Sequence, residues 1–133
     1  MKRIIFLVSI VALLPFIVSF TDDPSQSQKH NYIIQIYSMG ESPVEFEGAY
    51  VQSGAENAEG LHHFTSRTPM TFSVYSEVLY VMLTKISGNS NLGAKLLEQK
   101  GTQQYDLVSG NGSKSIILVQ NNDIPEKNGM TIF

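Results

Sequence analysis

From His30 onward the apolar residues recur mostly at every second position, and no stretch sustains the 3.6-residue period of a long helix. Tyr32, Ile34 and Ile36 alternate with Ile33, Gln35 and Tyr37, which predicts a first strand. After Gly40, Ser42 and Pro43 comes VEFEGAYVQ, residues 44 to 52, with the clearest alternation in the chain. Val44, Phe46 and Tyr50 share one face; Glu45 and Glu47 share the other. Gly48 falls on the apolar face, where a missing side chain admits a neighbouring ring or marks a bulge. Residues 53 to 60 read as a polar loop and LHHFTS as a short strand. MTFSVYS, after Pro69, places Met70, Phe72 and Val74 on one face and Thr71, Ser73 and Tyr75 on the other.

Residues 77 to 87, EVLYVMLTKIS, are apolar on both faces as far as Leu83, the pattern of a central strand covered on both sides. LGAKLLEQ, 92 to 99, is at most a helical turn or two. QYDLV and SKSIILVQ flank Ser109-Gly110-Asn111-Gly112, which reads as a hairpin turn. After the polar break NNDIPEKNG, MTIF closes the chain. Seven or eight short antiparallel strands, about ten residues apart and punctuated by Gly, Asn, Ser and Pro, predict one immunoglobulin-like β-sandwich over residues 30–133. A small barrel is the alternative. The expected core comprises Phe46, Phe72, Val74, Leu79, Val81, Leu83, Leu96, Ile116 and Leu118.

The N-terminus changes the picture. Lys2 and Arg3 precede an uncharged apolar run, Ile4 to Phe20, ended by Asp22, Asp23 and Pro24. This is the layout of a secretory signal peptide over residues 1–21, cleaved before Asp22, followed by a flexible linker over 22–29. The alternative is an uncleaved anchor, since the run lies at the short end of the roughly 17–25 residues that span a membrane. Either way the rest of the chain is expected outside the cytoplasm: secreted, periplasmic or at the cell surface. If uncleaved, this segment is the expected membrane contact.

The 133 residues include no cysteine, which excludes disulfides, thiolate metal sites and a cysteine nucleophile. Beyond residue 20, seven Lys and Arg stand against twelve Asp and Glu, scattered without a basic patch. Nucleic acid is therefore not an expected partner.

The candidate chemistry is thin. His62 and His63 are adjacent, so in a strand they diverge: His62 shares a face with Phe64, and His63 with Leu61. Adjacent strand histidines do not clamp one metal, and the expected reading is an edge strand with polar residues toward solvent. Arg67 and Thr68 are expected in the connection closed by Pro69. Glu45 and Glu47 lie roughly 7 Å apart along one strand face. Paired carboxylates serve acid–base hydrolysis of glycosides, but here they stand on what reads as a solvated face. No G-x-S-x-G, phosphate-binding glycine pattern or EF-hand loop occurs. No catalytic, cofactor or metal residue is expected. The best lead is strand tyrosine, apolar in body and polar at the tip, with Tyr75 and Tyr80 on the less buried face as the expected binding surface.

The plan resembles small bacterial envelope proteins of the MmpS type. The likeness runs loosely over residues 44 to 119: V-x-F-x-G-x-Y at 44–50, Thr68-Pro69 before an alternating strand, V-x-L-x-K-I-S-G-N-S-x-L at 81–92, and a glycine turn at 101. The family's Pro-Trp is Pro69-Met70 here, and its cysteines are absent. The resemblance implies a β-sandwich and a non-enzymatic accessory role beside a membrane transporter. The expected function is a non-catalytic secreted or envelope-associated binding or accessory module with an envelope protein as partner. A small hydrolase using Glu45, Glu47 or the histidines is one alternative, and a structural or adhesive surface protein another.

Overall fold

The computed structural model describes residues 29–53, 60–122 and 124–133. The apolar segment 1–21, the linker apart from Lys29, and the centre of the 53–60 loop lie outside the described residues. The described chain is a β-sandwich of two antiparallel sheets. Its strands are β1 (His30–Ser38), β2 (Glu45–Gln52), β3 (Gly60–Arg67), β4 (Met70–Ser76), β5 (Val78–Ser87), β6 (Leu92–Lys100), β7 (Gln103–Gly112), β8 (Ser115–Asn121) and β9 (Gly129–Ile132). One sheet has the order β4-β1-β6-β7, the other β3-β2-β5-β8-β9. The architecture is the two-layer one expected; the connectivity is its own, because β4, β5 and β6 alternate between sheets.

The inward side chains are those the alternation selects. Tyr32, Ile34 and Ile36 of β1, Phe46 of β2, Val74 of β4, Leu79, Val81 and Leu83 of β5, Leu96 of β6, and Ile116 and Leu118 of β8 form one buried cluster. Phe72 is the exception among the expected core residues. It is only partly buried, because β4 is an edge strand and Phe72 lies near the side of the sandwich.

Three expectations are corrected. The segment 92 to 99 is not a helical turn. It lies within β6, paired with β1 on one side and β7 on the other. Its Ala, Leu, Lys, Glu and Gln favour helix locally, but Leu92, Ala94, Leu96 and Glu98 point inward at alternate positions. Second, Ser109 to Gly112 is not a hairpin turn. β7 continues through Gly112 in register with Leu92, and β8 belongs to the opposite sheet. The hairpin here is β6–β7, turning at Gly101 with φ of +62°, a left-handed conformation that glycine adopts without strain. Third, β5 is central in its sheet, between β2 and β8, but it is covered on one side only. Tyr80 and Met82, on its outer side, are 44% and 48% exposed.

Candidate binding face

The outer face of the five-stranded sheet is built in rows by the strand register. Leu61, Val51, Tyr80 and Val119 stand opposite one another across β3, β2, β5 and β8. His63, Ala49, Met82 and Ile117 form the next row. Beyond them the row is Thr65, Glu47, Thr84 and Ser115, and then Arg67, Glu45 and Ser87. The face thus changes along the strands from apolar to polar. Leu61 is 58% exposed and Val51 37%. A shallow hollow of about 140 Å³ lies among Ala49, Val51, Leu61, Tyr80, Met82 and Ile117. Contiguous apolar surface of this kind on a folded domain marks an interaction site more often than isolated exposed residues do.

The polar end is an ordered network. The Arg67 guanidinium donates to Glu45 Oε1 at 2.7 Å, and the Ser87 hydroxyl donates to Glu45 Oε2 at 2.8 Å. The Arg67 hydrogen bond, then that of Ser87, holds the Glu45 carboxyl below its ordinary 4.5. Glu45 and Glu47 do share a face, as expected, and that face is the outer one. Glu45 is engaged on both oxygens, by Arg67 and Ser87. Arg67 is the last residue of β3 rather than part of the connection, because pairing with Glu45 extends the strand to it. Thr68 alone of the two lies in the turn, where its Oγ1 accepts from the buried Val44 N–H at 2.9 Å.

The two tyrosines do not form one surface. Tyr80 lies in the apolar rows just described. Tyr75 is 59% exposed on the outer face of the other sheet, where its row is Gln99, Asn31 and Tyr75. There Asn31 donates to Gln99 Oε1 at 3.3 Å, and Lys95 pairs with Asp106 at 2.7 Å. The apolar pair on that face, Ile33 and Leu97, is buried. Register in two different sheets, invisible to alternation, separates the two rings.

β3 is an edge strand, and its histidines diverge as adjacent strand residues must. His63 joins the outer rows. His62 turns inward and stacks on Tyr50, with ring centroids 4.7 Å apart. Among the described residues no three His, Asp or Glu side chains come together as a metal group.

A polar cluster missed by the sequence reading closes one end of the sandwich. Glu98 points inward opposite Tyr32 and is 8% exposed. His30 Nδ1 contacts its Oε1, and Lys100 Nζ lies 3.2 Å from its Oε2. Tyr32 Oη accepts from the Asn122 amide at 3.1 Å. Burial, more than the Glu98 charge, raises the Tyr32 phenol above its ordinary 10.0. The signal was present: Leu92, Ala94, Leu96 and Glu98 alternate, once 92 to 99 is read as a strand. The arrangement ties the start of β1 to β6 and serves as structure, since Glu98 already has His30 and Lys100 beside it.

No family model, no curated protein and no solved structure gives a significant match to the chain.

Proposed function

We propose that this chain is a non-catalytic binding module, acting outside the cytoplasm, that meets an envelope protein through the outer face of its five-stranded sheet. The observation that carries the reading is the double apolar row centred on Tyr80 and Met82, with Leu61, Val51, Ala49 and Ile117 around it. β5 has the composition of a strand covered on both faces, and among the described residues nothing covers its outer one, where Tyr80 and Met82 are exposed. A protein partner completes that burial. Tyrosine and methionine in such a patch suit the centre of an interface, and the Arg67, Glu45 and Ser87 network suits its polar rim.

The location rests on the Lys2-Arg3 pair before the apolar run to Phe20. The resemblance to MmpS-type proteins adds a membrane-protein complex as the setting. The non-catalytic part rests on the separation of the candidate groups: Glu45 is locked in an exposed network, and His62 and His63 leave opposite faces of β3.

The test uses the two tyrosines as each other's control. A photo-crosslinking residue is placed at Tyr80 or at Tyr75 in the full chain, expressed in its native cell. A discrete adduct with one envelope protein from position 80 and none from position 75 is the expected result. Adducts from position 75 alone, or none from either, overturn the reading.

A further inference from the structure

At the centre of β2 two small residues stand side by side. Gly48 lies on the core side of the strand, and Ala49 lies in the outer row with His63 and Met82. Each leaves a hole on its own side of the sheet. The inner hole is filled: the ring of Phe64, directly across on β3, reaches within 2.2 Å of where a Gly48 Cβ would stand. The outer hole is the hollow of about 140 Å³ in the apolar rows, and none of the described residues enters it. Ala49 is its floor. Its methyl group is only 7% exposed, while Leu61, Tyr80 and Met82 stand open around it.

We propose that this hollow is the socket for one bulky apolar side chain of the protein partner, a phenylalanine or a branched aliphatic residue, and that the small size of Ala49 admits it. The inference rests on the partner-binding reading and names the contact at its centre. Size sets the occupant. A cavity of about 150 Å³ takes benzene, so a hollow of about 140 Å³ takes one such ring or one branched aliphatic group. Pockets for free ligands run to roughly 300–1,000 Å³ and enclose most of the ligand. This hollow is smaller and shallow, so its occupant must bring flanking contacts of its own. A side chain fixed on a protein surface does so, because the apolar rows beside the hollow meet the rest of that surface. Charge sets the chemistry. No Asp, Glu, Lys or Arg lines the hollow, so an ionised group entering it would leave water without gaining a partner. One anchor in a central pocket, ringed by contacts that exclude water, is the common form of an interface hot spot.

The test fills the socket from its floor. The photo-crosslinking residue stays at position 80 of the full chain in its native cell, and adduct yield is compared with and without Ala49→Leu or Thr84→Leu. Thr84→Leu adds apolar bulk one row away on the same face, outside the hollow. Ala49→Leu is expected to lower the adduct about tenfold or more, the scale of a lost hot-spot contact. Thr84→Leu is expected to retain it. The partner residue joined at position 80 is expected, by mass spectrometry, to be a bulky apolar one or its neighbour. An undiminished adduct in folded Ala49→Leu overturns the socket and leaves the binding face standing. Equal loss in both variants also overturns it, because bulk anywhere on the face then suffices. No adduct from position 80 without either substitution removes the partner reading, and the socket with it. Should Ala49→Leu fail to fold, Ala49→Val, which fills less of the hollow with a strand-favouring side chain, is read in its place with the same outcomes.

Discussion

The ring of Phe64 occupies the place of the side chain that Gly48 lacks. The two residues are direct partners across β2 and β3, and a Cβ added at Gly48 would overlap the ring. Phe64 in turn meets Phe46 edge to face at 6.0 Å. Gly48→Ala is therefore expected to destabilise the domain by about 1–3 kcal/mol, the range for overpacking a filled site. Urea unfolding reads this directly. A variant as stable as wild type would show that Phe64 yields without loss.

Val81 is 1% exposed at the middle of β5, between Tyr50 and Leu118 in register. Val81→Asp places a carboxylate in the core with no cation beside it. The expected loss is on the order of several kcal/mol, a large part of the 5–15 kcal/mol that typically holds a domain folded. Circular dichroism and urea titration test it. By contrast Met82→Lys, one residue on and facing outward, is expected to change stability by less than about 0.5 kcal/mol.

Thr68 and Val44 bond each other twice. Val44 N–H donates to Thr68 Oγ1, and Thr68 N–H donates to the Val44 carbonyl, both at 2.9 Å. Val44 is wholly buried, so water does not replace the hydroxyl. Thr68→Val keeps the shape and strands the Val44 N–H, at an expected cost of about 1–3 kcal/mol. Thr68→Ser, which keeps the acceptor, is expected to recover much of it. Equal denaturation midpoints for the two variants would remove the hydroxyl from the account.

Glu45 carries a pH dependence of defined sign. Its folded-state titration lies below the ordinary 4.5, so the unfolded chain binds the proton more readily. The contribution of the Arg67–Glu45–Ser87 network is fully present above 4.5 and is lost as pH falls through the lower folded value. Arg67→Ala is expected to move the Glu45 carboxyl titration, followed by NMR, upward toward 4.5. A titration unchanged by that substitution would assign the shift to Ser87 alone.

Much of this was legible along the chain. Alternation placed Phe46, Val74, Leu79, Val81 and Leu118 inside, and it set His62 and His63 on opposite faces. Both follow from the two-residue period of a strand, which is local geometry and needs no knowledge of neighbours. It also marked Gly48 as a place where a ring could enter. Local reasoning failed at residues 92 to 99, where helix-forming side chains sit between β1 and β7. There, ladder hydrogen bonds on both sides and an inward Leu92, Ala94, Leu96 outweigh intrinsic preferences of tenths of a kcal/mol per residue.

What the sequence by itself determined, outside residues 92–99 and 109–112, is therefore which residues are strand and which of their two sides is apolar. What only the tertiary structure decided is which strands meet. Ser109 to Gly112 has the composition of a turn, yet β7 runs straight through it and β8 crosses to the other sheet. Tyr75 and Tyr80 read alike in sequence and stand on opposite outer faces. Tyr80 belongs with Leu61, Val51 and Met82 only because β3, β2 and β5 lie side by side. Strand pairing is made by backbone groups that every residue carries, between segments far apart in the chain, so it leaves no periodic trace in the side chains. Whether an apolar face is covered depends on that pairing and on what lies over it, and so β5 reads as a buried strand while Tyr80 and Met82 stand exposed on its outer side.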